Sequence, residues 1–288
     1  MKGIILSAGR STRLYPTSLA FNKSFLPIYD KPMLYYPLAT LMNANIKDIL
    51  IIVSEQDLRL FQNLLGDGKH LGINISYEIQ RVPRGTAEAL IIGEKFIGSD
   101  NVCLIFGDNV FFGGNMNELL EKCGKQESGA SVFGYYVEDP RPFGVAEFDS
   151  NGNILSLEEK PQNPKSNYAV TGLYFYDNKC VEYAKQLTPS NRGELEITDL
   201  NKKYLENGNL KIELLDKDVN WLDTGNATSL LEAGNIVSEY QQGGEFVACL
   251  EEIAYTKGYI TRQELEDLIK PLSKTLYGKH LDMLLNKA

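Results

Sequence analysis

Residues 102–109 read Val102-Cys-Leu-Ile-Phe-Gly-Asp-Asn109. The apolar run 102–105 predicts a buried central strand, and the Gly-Asp-Asn that ends it sets Asp108 at the strand's carboxyl end. Working outward, short β-rich runs of the same kind recur at 3–6, 48–53, 75–79, 101–105, 130–136 and 170–176. Between them, 33–44, 56–65 and 86–96 place apolar residues at helical spacing. Strands alternating with amphipathic helices are the pattern of βαβ units around a largely parallel, doubly wound sheet. Period-2 alternation in 144–148 and 154–157, joined across Asp149-Ser-Asn-Gly152, predicts a hairpin inserted after the central strands. From about Leu230 the patterns are helical, including 263–269 and 280–285, with Thr261 as a helix cap. The expectation is a mixed, mostly parallel α/β sheet with a β excursion, a core spanning 1–228, and a helical C-terminal portion spanning 229–288.

With 288 residues, 43% of them hydrophobic, the chain has ample material for an apolar core. The opening Met1-Lys-Gly-Ile-Ile-Leu6 passes straight into Ser-Ala-Gly9 without a long apolar leader, and no later run approaches the roughly 20 apolar residues of a membrane span. A cytoplasmic protein is expected. Cys103, Cys123, Cys180 and Cys249 are widely spaced and form no C-x-x-C pair, which predicts buried reduced thiols rather than a zinc or disulfide framework. A net charge of −9 argues against a nucleic-acid partner. Anionic ligands must then be held by a few local cations and backbone amides.

Five segments carry candidate groups, the acids among them through a bridging cation. Leu6-Ser-Ala-Gly9-Arg-Ser-Thr12-Arg13-Leu leaves the first strand in a turn of small residues, whose backbone N–H groups can cradle phosphate while Arg13 adds a charged donor; a plain strand-ending turn is the alternative. It has neither the Walker A nor the dinucleotide spacing. Lys23 precedes a stiff Pro-containing stretch and can act as a point charge on phosphates, or stand as a solvated loop lysine. Asp108, at a sheet edge where α/β ligands gather, and Asp223, in Trp221-Leu-Asp-Thr-Gly225, are two hard oxygen ligands expected on opposite sides of a cleft; each can equally be a turn former. Glu158-Glu-Lys-Pro161 ends the hairpin, with Lys160 available to a sugar phosphate and Glu159 to sugar hydroxyls, unless the cluster is simply a solvated face.

In this order the segments resemble the glucose-1-phosphate thymidylyltransferase family. The resemblance extends through Leu26-Pro-Ile-Tyr-Asp-Lys-Pro-Met33, Phe61-Gln-Asn-Leu-Leu-Gly-Asp-Gly68, Lys165-Ser-Asn-Tyr-Ala-Val-Thr-Gly-Leu-Tyr-Phe-Tyr-Asp177, Arg192-Gly-Glu-Leu-Glu-Ile-Thr-Asp199, Glu251-Glu-Ile-Ala254 and Pro271-Leu-Ser-Lys274. It implies a Rossmann-like nucleotidyltransferase fold and transfer of a thymidylyl group from dTTP to glucose 1-phosphate. The sugar phosphate would attack the α-phosphorus in line, in the first step towards dTDP-deoxysugars such as dTDP-rhamnose. It further implies a phosphate loop of Ala8, Gly9, Ser11, Thr12 and Arg13, with Lys23 on the triphosphate and Gln80 and Gly85 reading the base. Lys160 and Arg192 would meet the sugar phosphate, amid Gly144, Glu159, Val170, Tyr174 and Glu194, and Asp108 with Asp223 would hold Mg2+. A homotetramer and end-product inhibition, with Lys217 near the second site, complete the implied picture.

The chain also departs from the family pattern. Ala8 and Ser11 stand where the loop normally has glycines, Arg10 adds a cation, and Arg84, Thr86 and Glu88 replace an acid, a leucine and a glutamine beside the base site; Phe143 stands where tyrosine is common. Two other readings therefore stay open: a paralogue using UTP or a modified sugar phosphate, and a catalytically weak regulatory homologue.

Overall fold

The computed structural model describes residues 1–287. Among these residues the strands are β1 (Lys2–Leu6), β2 (Pro27–Ile28), β3 (Lys31–Pro32), β4 (Asp48–Val53), β5 (Asn74–Ile79), β6 (Val102–Phe106), β7 (Asn109–Gly113), β8 (Ala130–Tyr136), β9 (Gly144–Phe148), β10 (Ile154–Glu159), β11 (Tyr168–Tyr176), β12 (Leu210–Leu214) and β13 (Val219–Asp223). The helices are α1 (Tyr35–Asn43), α2 (Leu58–Leu65), α3 (Glu88–Ile92), α4 (Glu94–Ile97), α5 (Met116–Gly124), α6 (Lys179–Lys185), α7 (Ile197–Glu206), α8 (Ala227–Gln242), α9 (Leu250–Thr256), α10 (Arg262–Ile269) and α11 (Leu276–Lys287).

The apolar runs form strands because both of their faces are buried. In β1, β4 and β6 alternate side chains enter two separate cores. Ile5, Ile49, Ile51 and Ile105 pack with Leu38 and Met42 of α1, Leu120 of α5, Leu250 of α9 and Leu281 of α11. Ile4, Leu50, Ile52 and Leu104 face Leu90 of α3, Val181 of α6 and Leu200 and Tyr204 of α7. The result is three layers, helix on sheet on helix, and the helices after α8 share the larger core. Strands β5, β4, β1 and β6 are parallel neighbours. Beyond β6 the sheet turns antiparallel through β11, which also pairs with β8 and β9, and β12 then runs parallel to β8. The expected mixed sheet with a parallel centre is what forms.

The hairpin is β9 and β10. Its turn closes because Asp149 Oδ1 accepts from the backbone N–H of Asn151 and Asn153, both at 2.8 Å, while Gly152 supplies φ +82°. Thr261 caps α10 in a capping box with Glu264. The helix expected over 86–96 is instead two short ones, α3 and α4, meeting at Gly93, whose lack of a side chain lets the junction pack on the sheet: a Cβ there would lie 2.7 Å from Ile4 Cδ1. The antiparallel ribbon of β7 and β13 has no counterpart in the expected elements, and it positions the chemistry described below. All four cysteines are buried and free, as expected. Among the described residues, no helix is long and apolar enough to cross a membrane.

Candidate functional site

Parallel strands bring their carboxyl ends to one edge. Ser7 N–H donates to Ile52 O at 2.8 Å, Gly107 N–H to Leu6 O at 2.9 Å, and Gln80 N–H to Val53 O at 2.9 Å, so the turns after β1, β4, β5 and β6 emerge side by side. In the turn after β1 the left-handed conformation falls on Ser11, at φ 55°, rather than on Ala8 or Gly9. An L-residue there costs about 1 kcal/mol. The carbonyl of Ser11 is held by Ser18 Oγ at 2.8 Å and by Leu14 N at 3.0 Å, which offsets that cost. Ala8, Gly9 and Ser11 line one concavity with Arg10 and Asn22, Thr12 is exposed on the following 3-10 turn, and Arg13 from the same turn lines the cavity next door.

That cavity, of about 230 Å³, lies between the end of β6 and the hairpin. Asp108 follows β6, and the β7–β13 pairing sets Asp223 opposite Asn109. Thr224 clamps the two segments by donating to Asp108 O from N–H at 3.0 Å and from Oγ1 at 2.8 Å. The two acids, expected across a cleft, therefore sit next to each other, Asp108 in the turn before β7 and Asp223 at the end of β13. Lys23 ion-pairs with Asp108. Burial pushes the Asp108 carboxyl up, but the charge and hydrogen bond of Lys23, helped by Asn109, hold it below the usual carboxylate range. Asp223 has no such ion pair among the described residues; burial first, then the neighbouring Asp108, push it up to about 6, against the opposing pull of Lys23 and Arg13. Two crowded carboxylates, one destabilised as an anion, are a hard-oxygen donor set that a divalent cation fits.

Across the cavity, the hairpin end delivers Glu159 and Lys160. Lys160 has φ 46°, and its N–H is held by Phe143 O at 2.9 Å. Strained backbone held in place by its surroundings is a mark of functional sites, and here it stations the half-exposed Lys160 ammonium at the cavity wall. Glu159 accepts from Thr198 Oγ1 and, at 3.4 Å, from Arg192 Nη2. Arg192 also pairs with Glu196 at 2.7 Å and Glu194 at 3.2 Å. Gly144 lines the same wall, where a Cβ would come within 3.0 Å of Thr198 Oγ1. Val170 and the buried Tyr174 form its floor from β11.

Gln80 and Gly85 lie at the same sheet edge but outside this cavity's lining. Gly85 has φ +112°, and a Cβ on it would stand 2.3 Å from Leu195 N, because residues 84–87 are stitched to 195–197 through Leu195 N to Arg84 O at 2.7 Å and Ala87 N to Leu195 O at 3.0 Å. Gln80 Nε2 donates to Glu88 Oε2 at 2.8 Å, and Arg84 binds the same carboxylate through N at 3.1 Å, Nε at 2.8 Å and Nη2 at 2.7 Å. Lys217 is exposed between β12 and β13, away from the cavity.

Sequence reasoning passed over several residues. Buried Asn109 accepts from Gly172 N at 3.0 Å and Trp221 Nε1 at 2.7 Å while donating to Asp108 at 3.1 Å, tying β7, β11 and β13 together beneath the acids. Thr198 and Glu196 orient Glu159 and Arg192. An amide directly after a strand-end Asp was the available signal for Asn109; nothing local marks Thr198. Elsewhere Cys249, Glu252 and His280 converge to within 4.8 Å of one another. Burial and Glu251 push the Cys249 thiol up, away from the thiolate a metal requires.

A family model described as nucleotidyl transferase matches residues 2–239. The chain is 54% identical over 288 residues, all of both chains, to a glucose-1-phosphate thymidylyltransferase of Neisseria gonorrhoeae. It is 48% identical over 289 residues, again all of both chains, to one of Mycobacterium tuberculosis. Among solved structures it is similar to a Bacillus anthracis protein assigned as a glucose-1-phosphate thymidylyltransferase, solved with sucrose, at TM-score 0.76 and 41% identity over 82% of this chain and 94% of that one. A UDP-glucose pyrophosphorylase in complex with UDP-glucose shares the fold at TM-score 0.72 and 23% identity, over 84% of this chain and 98% of that one.

Proposed function

Because the chain belongs to the nucleotidyl transferase family, among its glucose-1-phosphate thymidylyltransferases, we propose that it transfers a thymidylyl group from dTTP to glucose 1-phosphate, giving dTDP-glucose and pyrophosphate. The observation that carries this reading is the convergence of Arg13, the Lys23–Asp108–Asp223 cluster and Lys160 with Arg192 around one cavity. Such a site has a cation for each phosphate group to be joined and carboxylates between them.

In this mechanism Arg13, Lys23 and the backbone of residues 8–12 hold the triphosphate. Lys160 and Arg192 hold the sugar phosphate, and Glu159, oriented by Thr198 and Arg192, takes the sugar hydroxyls with Gly144, Val170, Tyr174 and Glu194 around the ring. A phosphate oxygen of glucose 1-phosphate attacks the α-phosphorus in line; the bond from that phosphorus to the bridging oxygen breaks, and the electron pair leaves with pyrophosphate, whose charge Arg13 and Lys23 stabilise. No covalent enzyme intermediate is needed, so catalysis is positioning plus charge stabilisation. Asp108 and Asp223 would hold Mg2+, which when bound neutralises phosphate charge. Gln80 and Gly85 face the pyrimidine. The same reading includes a cytoplasmic homotetramer serving dTDP-rhamnose synthesis and inhibited by its end product, supported by the resemblance at 251–254 and 271–274 and, for regulation, Lys217.

The test is to supply magnesium, glucose 1-phosphate and either dTTP or UTP and to measure pyrophosphate and the sugar nucleotide by mass spectrometry. Formation of dTDP-glucose that Asp108→Asn and Lys160→Ala both abolish supports the reading. A UTP preference replaces it with the paralogue, and nucleotide binding without turnover of any sugar phosphate replaces it with the regulatory homologue.

A further inference from the structure

Two of the three departures beside the base site, Arg84 and Glu88, form one device with Gln80. Glu88 is 4% exposed and Gln80 5%, yet both are polar, and the Gln80 NH2 group finds its partner in the Glu88 carboxylate. A carboxylate only accepts hydrogen bonds, so Glu88 can face nothing of the Gln80 amide but its NH2 group. Arg84, reaching in from a 70% exposed position, occupies the other carboxylate oxygen and closes the i, i+4 pair from the solvent side. The Gln80 amide is thereby locked in one of its two orientations, and no protein group donates to its Oε1 among the described residues. With a glutamine at position 88 the lock would vanish, since a glutamine side chain offers a donor or an acceptor equally.

We infer that Glu88, held by Arg84, is a positioning residue for base selection: it fixes Gln80 with its carbonyl oxygen toward the nucleotide edge of the sheet, selecting pyrimidines that carry an N3–H, thymine and uracil, against cytosine. This rests on the reading of Gln80 as the residue facing the base. A thymine or uracil N3–H donates to a fixed carbonyl oxygen. Cytosine presents an N3 lone pair at the same place and leaves both acceptors unpaired, which disfavours it by about 10- to 100-fold. The device is indifferent to the 5-methyl group, so dTTP and UTP are not separated by it.

The experiment measures calorimetric Kd values of the full-length protein for dTTP and dCTP in the wild type, Glu88→Gln and Arg84→Gln, with glucose 1-phosphate turnover followed in parallel. The wild type is expected to prefer dTTP, Glu88→Gln to lose about tenfold or more of that preference, chiefly by gaining dCTP affinity, and Arg84→Gln to lose a smaller share. Gained dCTP affinity is a change that general damage to the site does not produce. An unchanged dTTP-to-dCTP ratio in Glu88→Gln, or no preference in the wild type, overturns the inference. Should Glu88→Gln not fold, Arg84→Gln, altered at an exposed side chain, decides in the same terms. Selective dTTP binding without turnover would defeat the proposed reaction and leave this inference standing; failure to bind either nucleotide overturns both.

Discussion

Replacing Asp223 with asparagine should separate stability from activity. Asp223 titrates at about 6 in the folded chain against an ordinary value of 3.8, because it is buried beside Asp108. Between those two values the folded state binds the proton more tightly than the unfolded state, so stability falls as pH rises through that window and stays reduced above it. At 1.36 kcal/mol for each pH unit, the interval corresponds to a destabilisation of up to about 3 kcal/mol at neutral pH. An asparagine at this position keeps the volume and can still accept from Gly225 N–H, a bond of 3.2 Å in the native chain, while shedding the charge. Urea unfolding in EDTA should show Asp223→Asn more stable than the wild type by up to about 3 kcal/mol at pH 7.5, with the gain shrinking to nothing near pH 4. Turnover should nevertheless collapse, and added Mg2+ should raise the stability of the wild type but not of the variant. A variant no more stable at pH 7.5, or equally stabilised at both pH values, would refute the crowded-carboxylate argument.

Lys160→Ala removes a half-exposed ammonium, so unfolding free energy should stay within about 0.5 kcal/mol of the wild type while turnover of glucose 1-phosphate is lost in steady-state assays. Asn109→Ala strands two buried donors, Gly172 N and Trp221 Nε1, at about 1–3 kcal/mol each; denaturant titration should show a loss of roughly 2–6 kcal/mol, accompanied by reduced turnover because Asp108 loses a neighbour. Gly85→Ala puts a Cβ 2.3 Å from Leu195 N at φ +112°, so calorimetry should register loss of dTTP binding together with a lower melting temperature.

Much of this chain was legible locally. Each central strand is an apolar run buried on both faces, so its signal lies within five or six consecutive residues, and Asp108 could be placed at a strand end because its run stops at Gly107. The hairpin turn was legible for the same reason: Asp149 and Gly152 satisfy and bend their own backbone. Phe143 shows the limit of such reading. It stood out locally only as a departure from the family pattern, and the structure adds that it lines the cavity and packs edge-on against Trp221 with ring centroids 5.1 Å apart, a contact between distant segments that no short-range pattern shows.

The sequence by itself determined the layered α/β architecture, the cationic loop after β1 and the strand-end acid, because these are written in short-range periodicity and local residue type; the family came from the resemblance of the ordered motifs, not from periodicity or composition. The tertiary structure alone decided that Asp223 lies beside Asp108 rather than facing it across a cleft, that Ser11 carries the left-handed turn, and that Arg84, Glu88 and Gln80 form one hydrogen-bonded unit. These outcomes depend on which distant segments meet. That is set by the closing of β13 onto β7 and of residues 84–87 onto 195–197, where burial without water forces every donor and acceptor to find its partner across the chain.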